Sequence, residues 1–228
     1  MKQKLLLIGL TVLGIALVYK GLIGAFGETY PMLSRLFLAF VMGYGLGSIP
    51  FGFILTRSFM KTDIRHIGSG NIGATNVLRT GKKALAAITL FLDLMKGAIA
   101  VYCARYFMMD VSIAPLFAAG GAVFGHCFPI WLNFKGGKAV ATAAGVLFAL
   151  NPWVGSITGI VWALTLLITR YSSLSALMAS LAAPIAVILL GEDWSFFYFT
   201  IVLTGVIVIR HHSNIKRLMN GEELKIGK

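Results

Sequence analysis

Three polar stretches carry residue types and spacings suited to binding anions. The first runs Gly68-Ser-Gly-Asn-Ile-Gly-Ala-Thr-Asn-Val-Leu-Arg79. Gly68, Gly70 and Gly73 let backbone N–H groups approach a ligand closely, and such a loop can cradle an anion. Ser69, Asn71, Thr75 and Asn76 add hydroxyl and carboxamide donors, and Arg79 adds a fixed charge. The second runs Gly125-His-Cys-Phe-Pro-Ile-Trp-Leu-Asn-Phe-Lys-Gly-Gly-Lys-Ala-Val-Ala-Thr142. Here Lys135 and Lys138 flank Gly136-Gly137 directly before an apolar helix, so cations and a helix N-terminus meet, as in a phosphate site. The third, Arg210-His-His-Ser-Asn-Ile-Lys-Arg-Leu-Met-Asn-Gly-Glu-Glu-Leu-Lys225, offers histidines able to exchange protons near neutral pH.

Each stretch has a plainer reading. The first is also a polar turn between helices. Either lysine of the second also serves as ordinary positive anchoring at a membrane face. His126, alone near a helix end, also fits a structural hydrogen-bonding role. The third also fits a solvated basic tail on an anionic lipid surface. The first loop matches G-x-G-x-x-G, with Asp93 twenty residues after Gly73. A dinucleotide fold nevertheless fails, because that motif needs a buried strand before it in a soluble βαβ unit. The second is not a Walker A loop, since no glycine stands five residues before Gly137. Asp93 and Lys96 lie i and i+3 on one apolar helix and share a face. Ionisable groups there cost about 2.5–3.5 kcal/mol each on insertion scales, so they pair or line a polar cavity.

Apolar elements must position these stretches. Of 228 residues, 58% are apolar or aromatic and 12% are charged. A soluble globule of this composition would expose large apolar patches. That excludes a soluble enzyme, a nucleic-acid module and a disordered chain. The 20 Lys+Arg against 8 Asp+Glu, net +12, then describe a membrane protein with one basic face. Cys103 and Cys127 define no disulfide framework or metal spacing. Hydropathy predicts spans near 5–19, 36–55, 84–102, 111–131, 153–169, 173–190 and 196–209, with 140–150 a short eighth, or six spans plus a re-entrant segment if the short one does not cross; sidedness favours eight. All but Lys20, Arg35 and Arg105 of the cationic residues then fall on the cytoplasmic side or within the span that carries Lys96, with both termini inside. Met1-Lys-Gln-Lys4 before an apolar run resembles a signal peptide, but no small-x-small cleavage site follows, so an uncleaved helix is expected.

Taken together, the three segments resemble the bacterial acyl-phosphate:glycerol-3-phosphate acyltransferases, the PlsY family. The family pattern GSGN-x-GATN-x-x-R matches residues 68–79 throughout. Gly47-Ser48-Ile49 and Arg57 resemble its first-helix pattern, and Phe91-Leu-Asp-Leu-Met-Lys-Gly97 its second-helix signature. Gly125-His126, Pro129 and Phe134–Thr142 resemble its second motif; Arg210-His211, Asn214, Arg217-Leu218 and Glu223 resemble its C-terminal motif. The resemblance covers residues 36–225 and departs in two places. Ala139 stands where the family usually has glycine, and residues 1–35 form an extension with an additional helix.

The resemblance implies an all-α integral membrane protein, a polytopic bundle with a seven-helix core (36–228) plus one extra N-terminal helix (1–35). It implies transfer of an acyl group from acyl phosphate to the 1-hydroxyl of sn-glycerol 3-phosphate at the cytoplasmic face of the inner membrane. No metal or other cofactor and no nucleic acid is expected; membrane lipid and the enzyme that makes acyl phosphate are the expected associations. Ser48, Arg57, Ser69, Asn71, Thr75, Asn76, Arg79, His211 and Asn214 are the implied catalytic set. Gly68, Gly70, Gly73, Lys96, His126, Lys135, Gly136, Gly137, Lys138, Thr142 and Arg210 are the implied binding set, with Asp93 and Glu223 structural. No histidine is followed by aspartate at the His-x-x-x-x-Asp spacing of the other acyltransferase class. Two competing readings are an acyltransferase using acyl-CoA or acyl carrier protein, and a transporter of a phosphorylated metabolite, which would place its site at the midplane between repeats.

Overall fold

The structure, a computed structural model, describes residues 31–226, and among them every regular element is helical. The helices are α1 (Pro31–Gly47), α2 (Phe51–Phe59), α3 (Ala74–Leu78), α4 (Lys83–Phe107), α5 (Ala114–Cys127), α6 (Val140–Leu150), α7 (Pro152–Thr169), α8 (Ser172–Leu189), α9 (Trp194–Arg210) and α10 (His212–Met219). Short 3-10 turns sit at Ile64–His66 and Ile130–Leu132. Pro50 separates α1 from α2, because it has no N–H and disfavours helical geometry at Ile49. Asn151 ends α6 and starts α7, its Oδ1 accepting from Trp153 N at 2.8 Å and Val154 N at 3.2 Å.

Five helical stretches are long and apolar enough to cross a membrane: Met32–Phe59, Lys83–Phe107, Ala114–Leu132, Pro152–Thr169 and Ser172–Leu189. A sixth is formed if α9 and α10, bent by 63° at His211, make one broken span. α6 has 11 residues, about 16 Å of helix, or half a hydrocarbon core of about 30 Å. The expected count of seven core crossings therefore exceeds what length and apolarity support among the described residues. The expected helix near 5–19 lies outside them, and α1 already begins at Pro31, within the expected extension.

Small residues let the helices approach. A Cβ on Gly43 or Gly47 of α1 would strike the carbonyls of Ala118 or Ala122 of α5; one on Gly121 or Gly125 would strike those of Phe40 or Tyr44. α4 and α6 meet in the same way, Gly97 against Thr142 O and Gly145 against Leu94 O. Thr142 thus stands opposite the fifteenth residue of α4, about 21 Å along that helix. α6 begins deep, and the loop before it must descend to that level.

The far end is tied by polar contacts. Arg35 pairs with Asp110. Arg105 donates to Ala149 O and Leu150 O at 2.7 Å each, satisfying carbonyls that the end of α6 leaves open. Asn151 Nδ2 donates to Glu192 Oε1 at 2.5 Å.

Candidate active site

The Gly68–Arg79 loop is organised by one side chain. Asn76, 1% exposed, donates from Nδ2 to Ile64 O (3.2 Å), Ile67 O (2.8 Å) and Asn71 O (2.8 Å). Its Oδ1 accepts from Ser69 N at 3.0 Å. Asn71 Oδ1 accepts from Gly73 N at 2.9 Å, holding the turn into α3. Gly68 and Gly70 have φ of +56° and +69°, where L side chains are strained. A second clamp lies upstream. Asp63 accepts from Arg65 N at 3.0 Å and pairs with its guanidinium at 2.7 Å. The Arg65 hydrogen bonds hold the Asp63 carboxyl down at about 2. Arg65 in turn lies 5.0 Å from the Phe53 ring centre, fixing the loop to α2.

The Lys135–Lys138 loop folds back on α5. Gly136 N donates to Cys127 O at 3.1 Å and Gly137 N to His126 O at 3.0 Å. Arg210 Nη2 and Nε donate to Gly136 O and Gly137 O, both at 3.0 Å. Both N–H groups and both carbonyls of Gly136-Gly137 are thereby engaged with protein. A Cβ at Gly137 would overlap the His126 ring, and one at Gly136 would overlap His126 O. The glycines serve close approach, and Lys138 is the group of this loop that reaches the cavity. Burial pulls Lys138 down to about 8. Ala139 follows in the left-handed region, φ +58°.

Beneath this loop lies a buried polar cluster. Thr142 Oγ1 is 3.2 Å from His126 Nδ1, and Asp93 Oδ1 is 3.7 Å from the same nitrogen. Asp93 and Lys96 pair at 2.8 Å. Lys96 also donates to Ile49 O at 2.9 Å, at the α1–α2 break. Lys96 ties α4 to that break rather than facing the cavity.

The C-terminal segment completes a chain of polar contacts. Lys138 Nζ donates to Asn214 Oδ1. Asn214 Nδ2 donates to Glu223 Oε1 at 2.6 Å, Ser173 Oγ to the same oxygen at 2.7 Å, and Arg217 Nε to Oε2 at 2.6 Å. Burial alone would raise the Glu223 carboxyl, but these three donors and the Arg217 charge hold it below the usual range. His211 Nδ1 lies 2.8 Å from Ile207 O. A carbonyl only accepts, so Nδ1 carries the hydrogen and Nε2 keeps the lone pair in neutral imidazole.

These segments surround one cavity of about 340 Å³. Ser69, Asn71, Gly73, Thr75, Asn76, Arg79, Asp93, His126, Lys138, His211, Asn214 and Glu223 line it. Its remaining wall is largely apolar, drawn from α4, α6, α7, α8 and α9. Gly68, Gly70, Lys96, Lys135, Gly136, Gly137, Thr142 and Arg210 stand off the wall. Ser48 is buried in the α1–α2 break, its Oγ bonded to no described group. Arg57 is exposed on α2. Sequence reasoning missed Ser172, whose Oγ is 3.1 Å from Thr75 Oγ1, and Ser173. Serines opening an apolar helix read as capping residues, so no signal separated them. Among the described residues no group of three or more His, Cys, Asp or Glu could hold a metal ion.

Comparison with known proteins gives the same family throughout. The family described as glycerol-3-phosphate acyltransferase matches residues 37–221. Glycerol-3-phosphate acyltransferases of Brucella canis and Brucella suis are 54% identical over 190 residues, covering 83% of this chain and 92% of theirs. The crystal structure of PlsY, an integral membrane glycerol 3-phosphate acyltransferase, in its glycerol 3-phosphate form superposes with a TM-score of 0.77 at 37% identity, over 86% of this chain and 96% of that one. Its lysophosphatidic acid form gives 0.76 at 37%, over 84% and 95%. The chain belongs to the PlsY family of integral membrane glycerol-3-phosphate acyltransferases.

Proposed function

We propose that this glycerol-3-phosphate acyltransferase takes its acyl group from an acyl phosphate. The 1-hydroxyl of sn-glycerol 3-phosphate attacks the acyl carbon, the anhydride C–O bond breaks, and 1-acyl-glycerol 3-phosphate and inorganic phosphate leave. The observation that carries this reading is a single cavity whose cationic, hydroxyl-rich end continues into an apolar wall between helices. Two phosphates and an acyl chain fit that division. Acyl phosphate is already activated, so positioning and charge neutralisation supply the catalysis, and the departing phosphate takes the hydroxyl proton.

Lys138, set by the Lys135–Gly137 loop that Arg210 and the end of α5 hold, binds the glycerol 3-phosphate phosphate. Ser69, Asn71, Thr75 and Arg79 surround the acyl phosphate, on a loop shaped by Asn76. His211 and Asn214 orient the attacking hydroxyl. Ser48 and Arg57 enter through their place in the first-helix pattern, and single alanine variants of each test it. The one-sided distribution of lysine and arginine supports a cytoplasmic position for this face; the protein then sits in the inner membrane, beside whichever enzyme supplies acyl phosphate.

Purified full chain with labelled glycerol 3-phosphate and, separately, acyl phosphate, acyl-CoA and acyl carrier protein thioester tests the donor. Product with acyl phosphate alone is expected; product only with a thioester overturns the reading. Exchanging Lys138 for Ala is expected to raise the KM for glycerol 3-phosphate, and an unchanged KM removes Lys138 from its phosphate.

A further inference from the structure

Asp93, Lys96, His126 and Thr142 are buried together beneath the Lys135–Lys138 loop, and the reaction proposed above uses none of them. A buried ion pair stabilises a bundle no better than two apolar side chains of the same volume. What it adds is direction, because each charge is aimed at a particular group. The Lys96 ammonium, 2.8 Å from Asp93 Oδ1, donates to Ile49 O at 2.9 Å and lies 5.7 Å from the Phe51 ring centre. It thereby holds the α1–α2 break and the first residue of α2. The next residue, Gly52, touches the first loop, since a Cβ there would strike Ile72 O. Contact thus runs from Asp93 through Lys96 and α2 to the Gly68–Arg79 loop. A second arm leaves the same carboxylate oxygen. It lies 3.7 Å from His126 Nδ1, and Thr142 Oγ1 lies 3.2 Å from that nitrogen. The opposite edge of the ring supports the second loop, since a Cβ on Gly137 would strike His126 Nε2. Gly137 is the residue before Lys138.

We propose that Asp93 is a positioning residue for both substrate loops at once, setting the Gly68–Arg79 loop through Lys96 and Lys138 through His126. The proposal rests on the reading above, in which the first loop holds the acyl phosphate and Lys138 the glycerol 3-phosphate. Transfer needs the hydroxyl and the acyl carbon within about 3–3.5 Å of each other. The two loops are far apart in sequence, so their spacing needs a common reference. Asp93 supplies one from α4, which is fixed against α6 by the close contact of Gly97 with Thr142 O. Asp93 borders the cavity, but a carboxylate repels a phosphate. Its use there is to hold the groups that hold the substrates.

The test measures KM for palmitoyl phosphate and for glycerol 3-phosphate separately, with Tm, on the full chain in detergent. Asp93→Asn keeps the shape and removes the charge, and both KM values are expected to rise about tenfold. Lys96→Met cuts the first arm alone. The KM for palmitoyl phosphate is expected to rise about tenfold, with that for glycerol 3-phosphate within about twofold of the unsubstituted value. Gly52→Ala, which pushes Ile72 from the α2 side and leaves the ion pair intact, is expected to do the same and serves if Lys96→Met does not fold. His126→Asn keeps a polar atom near Thr142 and removes the edge under Gly137, so the opposite split is expected. Both KM values unchanged in Asp93→Asn, with only Tm or kcat lowered, overturn the proposal. So do equal shifts of the two KM values in both single-arm variants. A split with the two substrates exchanged upholds the two arms and overturns the assignment of phosphates to loops. Turnover of a thioester and not of palmitoyl phosphate by the unsubstituted chain overturns the donor reading, and is seen before any variant is made.

Discussion

Asn214 joins Lys138 to Glu223, accepting from the lysine ammonium at Oδ1 and donating to the carboxylate from Nδ2 at 2.6 Å. One carboxamide thereby couples the cation of the second motif to the anion of the third, 85 residues apart in sequence. It also explains how a lysine this buried keeps a partner: the negative charge lies one side chain away.

Glu223→Ala is expected to leave Ser173, Asn214 and Arg217 without their shared acceptor. Losing a buried acceptor costs about 1–3 kcal/mol. Thermal unfolding in detergent should show a lower Tm, and the KM for glycerol 3-phosphate should rise, because Asn214 no longer has a fixed position. A variant with unchanged Tm and KM would show that the carboxylate neither stabilises nor positions.

Lys138 titrates at about 8 because burial disfavours its charged form. The sign follows directly. Below 8 the ammonium is present and binds a phosphate; above 8 the neutral amine does not. The KM for glycerol 3-phosphate should therefore be flat on the acid side and rise about tenfold per pH unit above 8. Lys138→Arg, which stays charged, should remove that rise even if it binds less well.

Asn76→Asp replaces a carboxamide nitrogen facing three carbonyls by a carboxylate oxygen. Oxygen then faces oxygen in a buried site. A loss of about 3 kcal/mol or more is expected, read as early proteolysis within residues 60–82 and loss of activity. Asn76→Asp with a wild-type digestion pattern would contradict the loop-organising role.

Ala139 holds φ +58° immediately before α6. The left-handed region costs a non-glycine residue roughly 1–2 kcal/mol, partly offset by the extra entropy glycine loses on folding. Ala139→Gly is expected to raise stability by about 0.5–1 kcal/mol, measurable as a higher Tm, with catalysis retained. Ala139→Val should lower it, because a β-branched side chain tolerates that conformation worst.

Sequence alone determined that the chain is a helical membrane protein and where its apolar segments lie. Runs of some twenty apolar residues have one way to satisfy their backbone in lipid. It also located the three polar segments, since glycine, asparagine, serine and lysine in those densities have no use inside a lipid-facing helix. Only the tertiary structure decided what each polar group does. Asn76 and Asn71 look alike in sequence, yet Asn76 spends its amide on the loop carbonyls. Gly136 and Gly137 look like a phosphate cradle, yet their N–H groups bond the end of α5 and their carbonyls bond Arg210. Ser172 and Ser173 carry no sequence signal, because their partners Thr75 and Glu223 are far off in the chain. A hydrogen bond is made to whatever group folding brings within 3 Å, and that choice is not written in local spacing. The depth of the site is of the same kind: α6 starts opposite Gly97 because two glycines let α4 and α6 touch, a fit between surfaces that neither helix reveals by itself.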